Sequence, residues 1–479
     1  MTLLCRARVV ALLFSILLLV SCGDTFRPIV IPNPPTPPDS SNFRAVFVVN
    51  SNGLANPGTG MQIDVSGDSD VGTAKVGLGP VHAAVQPTGT AHVFVANSLD
   101  DTVASFAPAP PCFVLPCSVT GVGSVVFSTL PAGSVPVFVH TTENSTVYVA
   151  NSGNATVAAI SITSNVVTNI IPVGTNPVAL AETPDARKLY AVNQGDSSVT
   201  SINPLNKTVN TTITDPSISS PVWALARADG GRIYVLSQGN GDVAVIDPNT
   251  DALVNPGTPV SAGAGANFMA YEKNSNRVYI TNPTAGTLTV LNAAVDPPNN
   301  VLTALSFLPA APRTDASGNP LTCTGAVAPV SVTALPDGTR AYVAGLFVGT
   351  CQNAAITLTC VSTSTNQPSG VNICPQVTVI NASDNGIRSS VALSPIPVAP
   401  AIPVSSFCDL ARFRLSTASA GDSSRVYVAS CDAGSVAIIR TSDDTALQNP
   451  LPAPVSAANP PGPGLPPPPQ NPVFVIAGP

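Results

Sequence analysis

The chain has 479 residues, 44% of them hydrophobic and only 9% charged, against about 25% charged in an ordinary soluble domain. The apolar share is ample for a large core, so Ser, Thr, Asn, Gln, Gly and Pro must cover much of the surface. With a net charge of -7, 19 Lys+Arg and no basic run, binding to nucleic acid by counterion release is excluded.

Arg6 and Arg8 form a short basic region, and Val9 to Val20 is an apolar run broken only by Ser15. That run is too short to span a bilayer comfortably. The next residues, Leu19-Val20-Ser21-Cys22, resemble the bacterial lipobox. The resemblance implies a signal peptide over residues 1–21, cleavage before Cys22 and lipid on that cysteine. Gly23 rather than Asp follows, which by that family's sorting rule favours the outer membrane or cell surface. No other stretch could span a bilayer, so the expected membrane attachment is by lipid alone. Within residues 22–42, Phe26 to Ser41 (FRPIVIPNPPTPPDSS) reads as a Pro-rich spacer, extended at about 3.1 Å per residue. It cannot bury enough apolar surface to fold by itself, and would hold the folded domain, 43–479, away from the membrane.

From Phe43 onward one short unit keeps returning. Thr146 to Ile160 reads TVYVANSGNATVAAI and Arg232 to Ile246 reads RIYVLSQGNGDVAVI. Each is an apolar run centred on an aromatic, a polar turn, then a second apolar run, which predicts a β-hairpin. Eight anchors mark the copies: Phe47, Phe94, Tyr148, Tyr190, Tyr234, Tyr279, Tyr342 and Tyr427. Gaps of 42, 44 and 45 residues in the middle of the series give the period, and wider gaps hold insertions. About eleven residues before an anchor lies a Pro-Val pair, as at Pro80-Val81, Pro136-Val137, Pro177-Val178, Pro221-Val222 and Pro329-Val330. After it comes an apolar run closing in Ile-Asp or Ile-Asn, then a weaker strand. Four short strands per 40 to 45 residues predict the blades of an all-β, single β-propeller. Cores such as Val147-Tyr148-Val149 are apolar on both faces, as a blade sandwiched between two others requires.

The segments VYVANS, RVYITN, PDGTRAYV and VAVIDP resemble the YVTN family of β-propeller repeats of exported and surface proteins. The resemblance spans nearly all of 43–479, is specific for fold, and leaves seven or eight blades open. Unit 1 lacks a Pro-Val strand before its anchor, and Asn471-Pro472-Val473-Phe474-Val475-Ile476 reads like the missing one. The C-terminal strand is therefore expected to complete the first blade, with the Pro-rich residues 459–470 as connector, hiding the edge of an open ring.

Of ten cysteines, Cys5 leaves with the signal peptide and Cys22 takes lipid. The remaining eight suit disulfides in an oxidising compartment. Cys323–Cys351 and Cys360–Cys374 are expected around the insertion 345–375 of unit 7. Cys408, beginning one strand, should meet Cys431 at the end of its antiparallel neighbour, and Cys112–Cys117 would close PCFVLPC.

In a propeller the innermost strand starts at the channel mouth, so the residue after each Pro-Val should lie there once per blade. Lining up the copies gives His82, Phe138, Ala179, Trp223, Phe268, Ser331 and Phe474. An aromatic-lined funnel for an apolar or sugar-like ligand is one reading, and a plugged channel is the other. The stapled insertion 345–375 is expected on the same face, as a lid or as a stabilised loop. No G-x-S-x-G or H-E-x-x-H occurs, and the three histidines lack metal spacing. Asp64, Asp68 and Asp70 could offer oxygens to Ca²⁺ but lack EF-hand spacing and read as a turn, so no metal or cofactor is expected. His92 occupies a strand position held elsewhere by Arg232, Arg277, Arg340 and Arg425, which reads as a solvated strand end. Recurrent Asn50, Asn97, Asn151, Asn193 and Asn282 read as hairpin turn residues with positive φ.

The expected function is a lipid-anchored, non-enzymatic binding module of the cell envelope, with an envelope protein or glycan as partner. Two alternatives stand beside it. One is a hydrolase resembling the propeller lactonases, to which His82, Glu182 and Arg227 could contribute. The other is a structural protein that assembles with copies of itself.

Overall fold

The second strand of every repeat is buried around its aromatic anchor, because both of its faces meet another sheet there. All eight aromatic anchors are 2% exposed or less, each contributing about 2–3 kcal/mol by burial. The computed structural model describes residues 45–478 except 87–91, 110–120, 142–145, 255, 311–314, 316, 368–369, 394–401, 403–404, 448 and 455–468. The signal peptide, Cys22, the spacer, the Cys112–Cys117 pair and most of the connector 459–470 lie outside the described residues.

Eight antiparallel sheets form eight blades, each with four radial strand positions. Blade 1 runs outward from Asn471–Ala477 through Ala45–Ser51 and Pro57–Asp64 to Ser69–Leu78. Blades 2 to 8 begin at the axis with Pro80–Val85, Pro136–Thr141, Pro177–Glu182, Pro221–Ala226, Phe268–Glu272, Thr322–Ala334 and Leu415–Ser419. Each of these inner strands touches the next, all the way round to Asn471–Ala477. The count is eight, and the C-terminal strand closes the ring by pairing Val46 with Ala477 and Val49 with Phe474.

Three of the blade junctions are clasped at the outer rim by a recurring trio. The clasp joins a cation and a tyrosine on one second strand to an aspartate on the next blade. In blade 4, Lys188 and the Tyr190 hydroxyl both bond Asp251 of blade 5. In blade 7, Arg340 and Tyr342 meet Asp444 of blade 8. In blade 8, Arg425 Nε lies 3.0 Å and Tyr427 Oη 3.2 Å from Asp68 of blade 1. Each aspartate sits in the turn between the third and fourth strands with φ of 48–56°, a left-handed conformation that Asp adopts more readily than most residues. Burial first, and the facing carboxylate second, push the Tyr190 hydroxyl well above its ordinary pKa. Arg340 and Arg425, two of the cations at the strand position that His92 shares, are thus blade-to-blade contacts rather than solvated strand ends.

One further expectation changes. Asn50, Asn97, Asn151 and Asn193 are buried at strand ends, and none has positive φ. The Asn97, Asn151 and Asn193 amides donate across their hairpins to Thr102, Thr156 and Ser198. The left-handed residues of those turns are Asp101, Ala155 and Ser197. Asp64, Asp68 and Asp70 do not converge: Asp64 accepts from Ser66, Asp70 from Gly72, and Asp68 from the clasp.

The Asp68 clasp joins the last repeat to the first, so Asp68→Asn, which keeps the turn geometry, should lower stability by about 1–2 kcal/mol. Tyr427→Phe should cost less, about 1 kcal/mol. Denaturant titration measures both, and an unchanged midpoint for Asp68→Asn would refute a ring-closing role.

Candidate functional site at the channel mouth

Proline opens the inner strand of blades 2 to 5, and its missing N–H is tolerated only where the ladder begins. The next residue is skipped by the pairing. Pro80 faces Asn97 and His82 faces Ala96, which leaves Val81 outside the ladder. The same bulge sets aside Val137, Val178, Val222, Val330 and Val473. A bulge re-aims its side chain and takes its carbonyl out of the ladder. Val81, Val137, Val178 and Val222 line a cavity of about 410 Å³ at this mouth, with Gln194 and Gln238 adding amides.

The residues one step further along were expected to line the mouth, and the structure stacks them beneath it. His82 lies between Phe138 and Phe474, with ring centroids 4.0 and 4.3 Å away. Phe138 meets Trp223 edge-on at 5.6 Å, and Trp223 meets Phe268 at 4.6 Å. His82, Phe138, Trp223 and Phe474 are buried, Phe268 is half-buried, and Ser331 is buried in blade 7. Five of the aligned positions thus form one chain of rings that closes the channel. Ala179, in blade 4, adds no ring, and Phe138 and Trp223 meet across it.

Arg412 and Phe413 complete the plug, and they come from outside the repeat pattern. Phe413 packs edge-on against Trp223 at 5.8 Å and Phe268 at 5.3 Å. The Arg412 guanidinium lies 4.9 Å from the Trp223 ring centre and 5.8 Å from that of Phe138, between the blades that flank Ala179. It donates to the carbonyls of Val178 and Val222, both released by bulges, and part of it faces the cavity. Burial lowers its pKa to about 10, so it stays charged at neutral pH.

The segment carrying these two residues enters blade 8 through the short 3₁₀ turn Phe407–Asp409. Cys408 lies in that turn rather than at the start of a strand, and it is joined to Cys431. Asp409 accepts bonds from Thr363 and Ser364 and pairs with Arg414 at 2.7 Å. Arg414 also donates to the Ser362 carbonyl. Ser362–Ser364 belong to the blade 7 insertion, in which Cys323–Cys351 and Cys360–Cys374 are bonded. Cys323 sits within a lengthened inner strand, directly opposite Cys351. The insertion therefore braces the segment that floors the cavity.

At the far ends of the inner strands, His140 Nε2 stands 3.5 Å from Glu182 Oε2, and the Glu182 side chain is almost wholly buried. Arg227 is bound to Asp229 and Asp296. No group of three or more His, Cys, Asp and Glu is placed to hold a metal ion among the described residues. No described helix is long and apolar enough to cross a membrane.

The sequence reading missed Arg412, Phe413, Gln194 and Gln238. Gln194 and Gln238 share a visible signal, a Gln-Gly pair directly after the second strand. Arg412 had only an indirect one, since unit 8 lacks the Pro-Val opening and has CDLARFRL in its place.

The molecule is an eight-bladed β-propeller with a plugged channel and an open mouth. No protein-family model matches the chain, and no curated protein matches it. Among solved structures it is similar to AztD from Citrobacter koseri, with a TM-score of 0.53 and 10% identity over 90% of this chain and 96% of that one. A protein described as a candidate 6-phosphogluconolactonase from Bacteroides fragilis aligns with a TM-score of 0.48 and 10% identity, covering 90% and 96%. Kuenenia stuttgartiensis hydrazine synthase aligns with a TM-score of 0.44 and 16% identity, covering 69% and 80%. At these identities the likeness concerns the fold.

Burial, with Arg412 and His140 adding to it, holds the His82 pKa well below the ordinary imidazole value of 6.5. The unfolded chain therefore binds a proton that the native chain refuses. Stability should fall as pH drops below 6.5, by up to about 1.4 kcal/mol per unit until the native pKa is reached. His82→Phe should remove that slope. Asp432, raised by burial to about 6, has the opposite sign between 3.8 and 6 and is common to both proteins. Denaturation at pH 7 and pH 5 measures the difference, and equal pH responses would refute it.

Proposed function

We propose that the protein is a cell-envelope binding module, held to a membrane by lipid on Cys22 and presenting its plugged propeller mouth to a ligand. The observation that carries this reading is the mouth cavity itself. Its walls are bulged valines of the inner strands and the amides of Gln194 and Gln238 just after the second strands, and its floor is a disulfide-braced segment. The three disulfides fit an oxidising compartment outside the cytoplasm. The lipobox-like Leu19-Val20-Ser21-Cys22 supports the anchor.

A hydrolase resembling the propeller lactonases is a second reading, favoured by the buried Glu182 beside His140. It draws less from the other residues proposed for it, since His82 is packed between two phenylalanines and Arg227 is ion-paired.

Trp223 is the only tryptophan and lies beneath Arg412, so its emission should report the mouth. Envelope glycans or peptidoglycan fragments should shift it saturably, and Val81→Phe, which fills the cavity, should abolish the response. A response unchanged by Val81→Phe would refute the site, and turnover of lactones abolished by Glu182→Gln would favour the hydrolase. Palmitate labelling should mark the chain and be lost in Cys22→Ser.

A further inference from the structure

Arg412 differs from most arginines of the folded domain and is the cation that lines the mouth cavity. Arg187, Arg227, Arg232, Arg340, Arg414 and Arg425 each have a carboxylate within ion-pairing distance. Among the described residues Arg412 has none, nor has Arg277, but only Arg412 of the two is half-buried against the mouth cavity. Its two hydrogen bonds go to neutral carbonyls, which orient the guanidinium and leave its charge uncancelled. Of the five N–H groups of a guanidinium, three remain after those bonds are made. Charged groups taken out of water without a counter-ion are costly, and structures seldom keep them without a use.

The surroundings say which anion would fit. The residues lining the cavity include no acid and no second cation. One positive charge suits a singly charged group, whereas a phosphate dianion would be left half neutralised. Guanidinium matches the planar fork of a carboxylate with two parallel bonds. Around Arg412 the wall is largely aliphatic, built from Val81, Val137, Val178 and Val222, with Gln194 and Gln238 among the polar groups. A volume of about 410 Å³ lies at the small end of ligand pockets.

We infer that the mouth cavity takes a small monocarboxylate with an aliphatic body, its carboxylate seated on the Arg412 guanidinium and its chain against the bulged valines. This rests on the mouth being a binding site, and it adds the ligand class. Burial has drawn the Arg412 pKa down toward 10, and a bound carboxylate would raise it again.

The test titrates the full chain at pH 7 with straight-chain carboxylates from acetate to octanoate, and with the amide of each, by calorimetry and Trp223 emission. Each longer carboxylate should bind at least about tenfold more tightly than its own amide, with affinity rising along the series. Arg412→Met should bring the carboxylate down to the level of the amide, and Arg412→Lys should keep part of the preference. Because the acid and amide are compared on the unaltered protein, the test stands even if Arg412→Met fails to fold. Equal binding of acid and amide, with Trp223 responding, would overturn the carboxylate assignment while leaving a binding site at the mouth. Tighter binding of succinate than of butanoate would overturn it in favour of a dianion. No saturable carboxylate binding below about 10 mM, that is, nothing stronger than roughly -3 kcal/mol, would also overturn it.

Discussion

Closure of the ring is the constraint on which everything else rests. Eight sheets that are apolar on both faces can hide those faces only against one another, and the first and last must meet. The chain meets this demand by lending the first blade its innermost strand from the C-terminus. The clasp of Arg425 and Tyr427 on Asp68 ties the same two blades at the rim. With the ring closed, the inner strands converge on one axis. Their bulges fall at the same height, which a single blade could not arrange.

That convergence explains the chemistry of the mouth. A bulge removes one carbonyl from the ladder, and a carbonyl near the axis needs another donor. Arg412 serves Val178 and Val222, and the Asn267 amide serves Val330. Arg412 can enter because blade 4 carries Ala179 where its neighbours carry Phe138 and Trp223. The plug is therefore two structures interlocked: a chain of rings set by the repeat, and a cation from outside the repeat filling the place where a ring is absent.

Much of this was legible in the chain. The anchors, the period, the closing strand and three cysteine pairs are local patterns or their simple repetition, and a repeat turns local information into global shape. The aligned ring residues did come together, because equivalent positions in a symmetric fold share one radius. Reading them as the lining was off by one residue, since the bulge that turns Val81 and its counterparts toward the mouth depends on strand pairing. Asn97 and its equivalents were misplaced for a related reason. Asn is common at positive φ, but here its amide spans the hairpin and other residues make the turn. Arg412 was the least legible, because its role depends on Val178 and Val222, some two hundred residues earlier in the chain.

The borrowed strand also orders events in time. Ala45–Ser51 is made well before its partner Asn471–Ala477, so in the interval the first blade has an inner edge with nothing to pair it. Contacts this distant in sequence form slowly, because a long loop must close before they contribute. In a nascent chain of this design the first blade stays unfinished until Asn471–Ala477 is available. For a protein threaded across a membrane, that delay would keep the chain pliant during passage and postpone assembly until the whole of it has arrived.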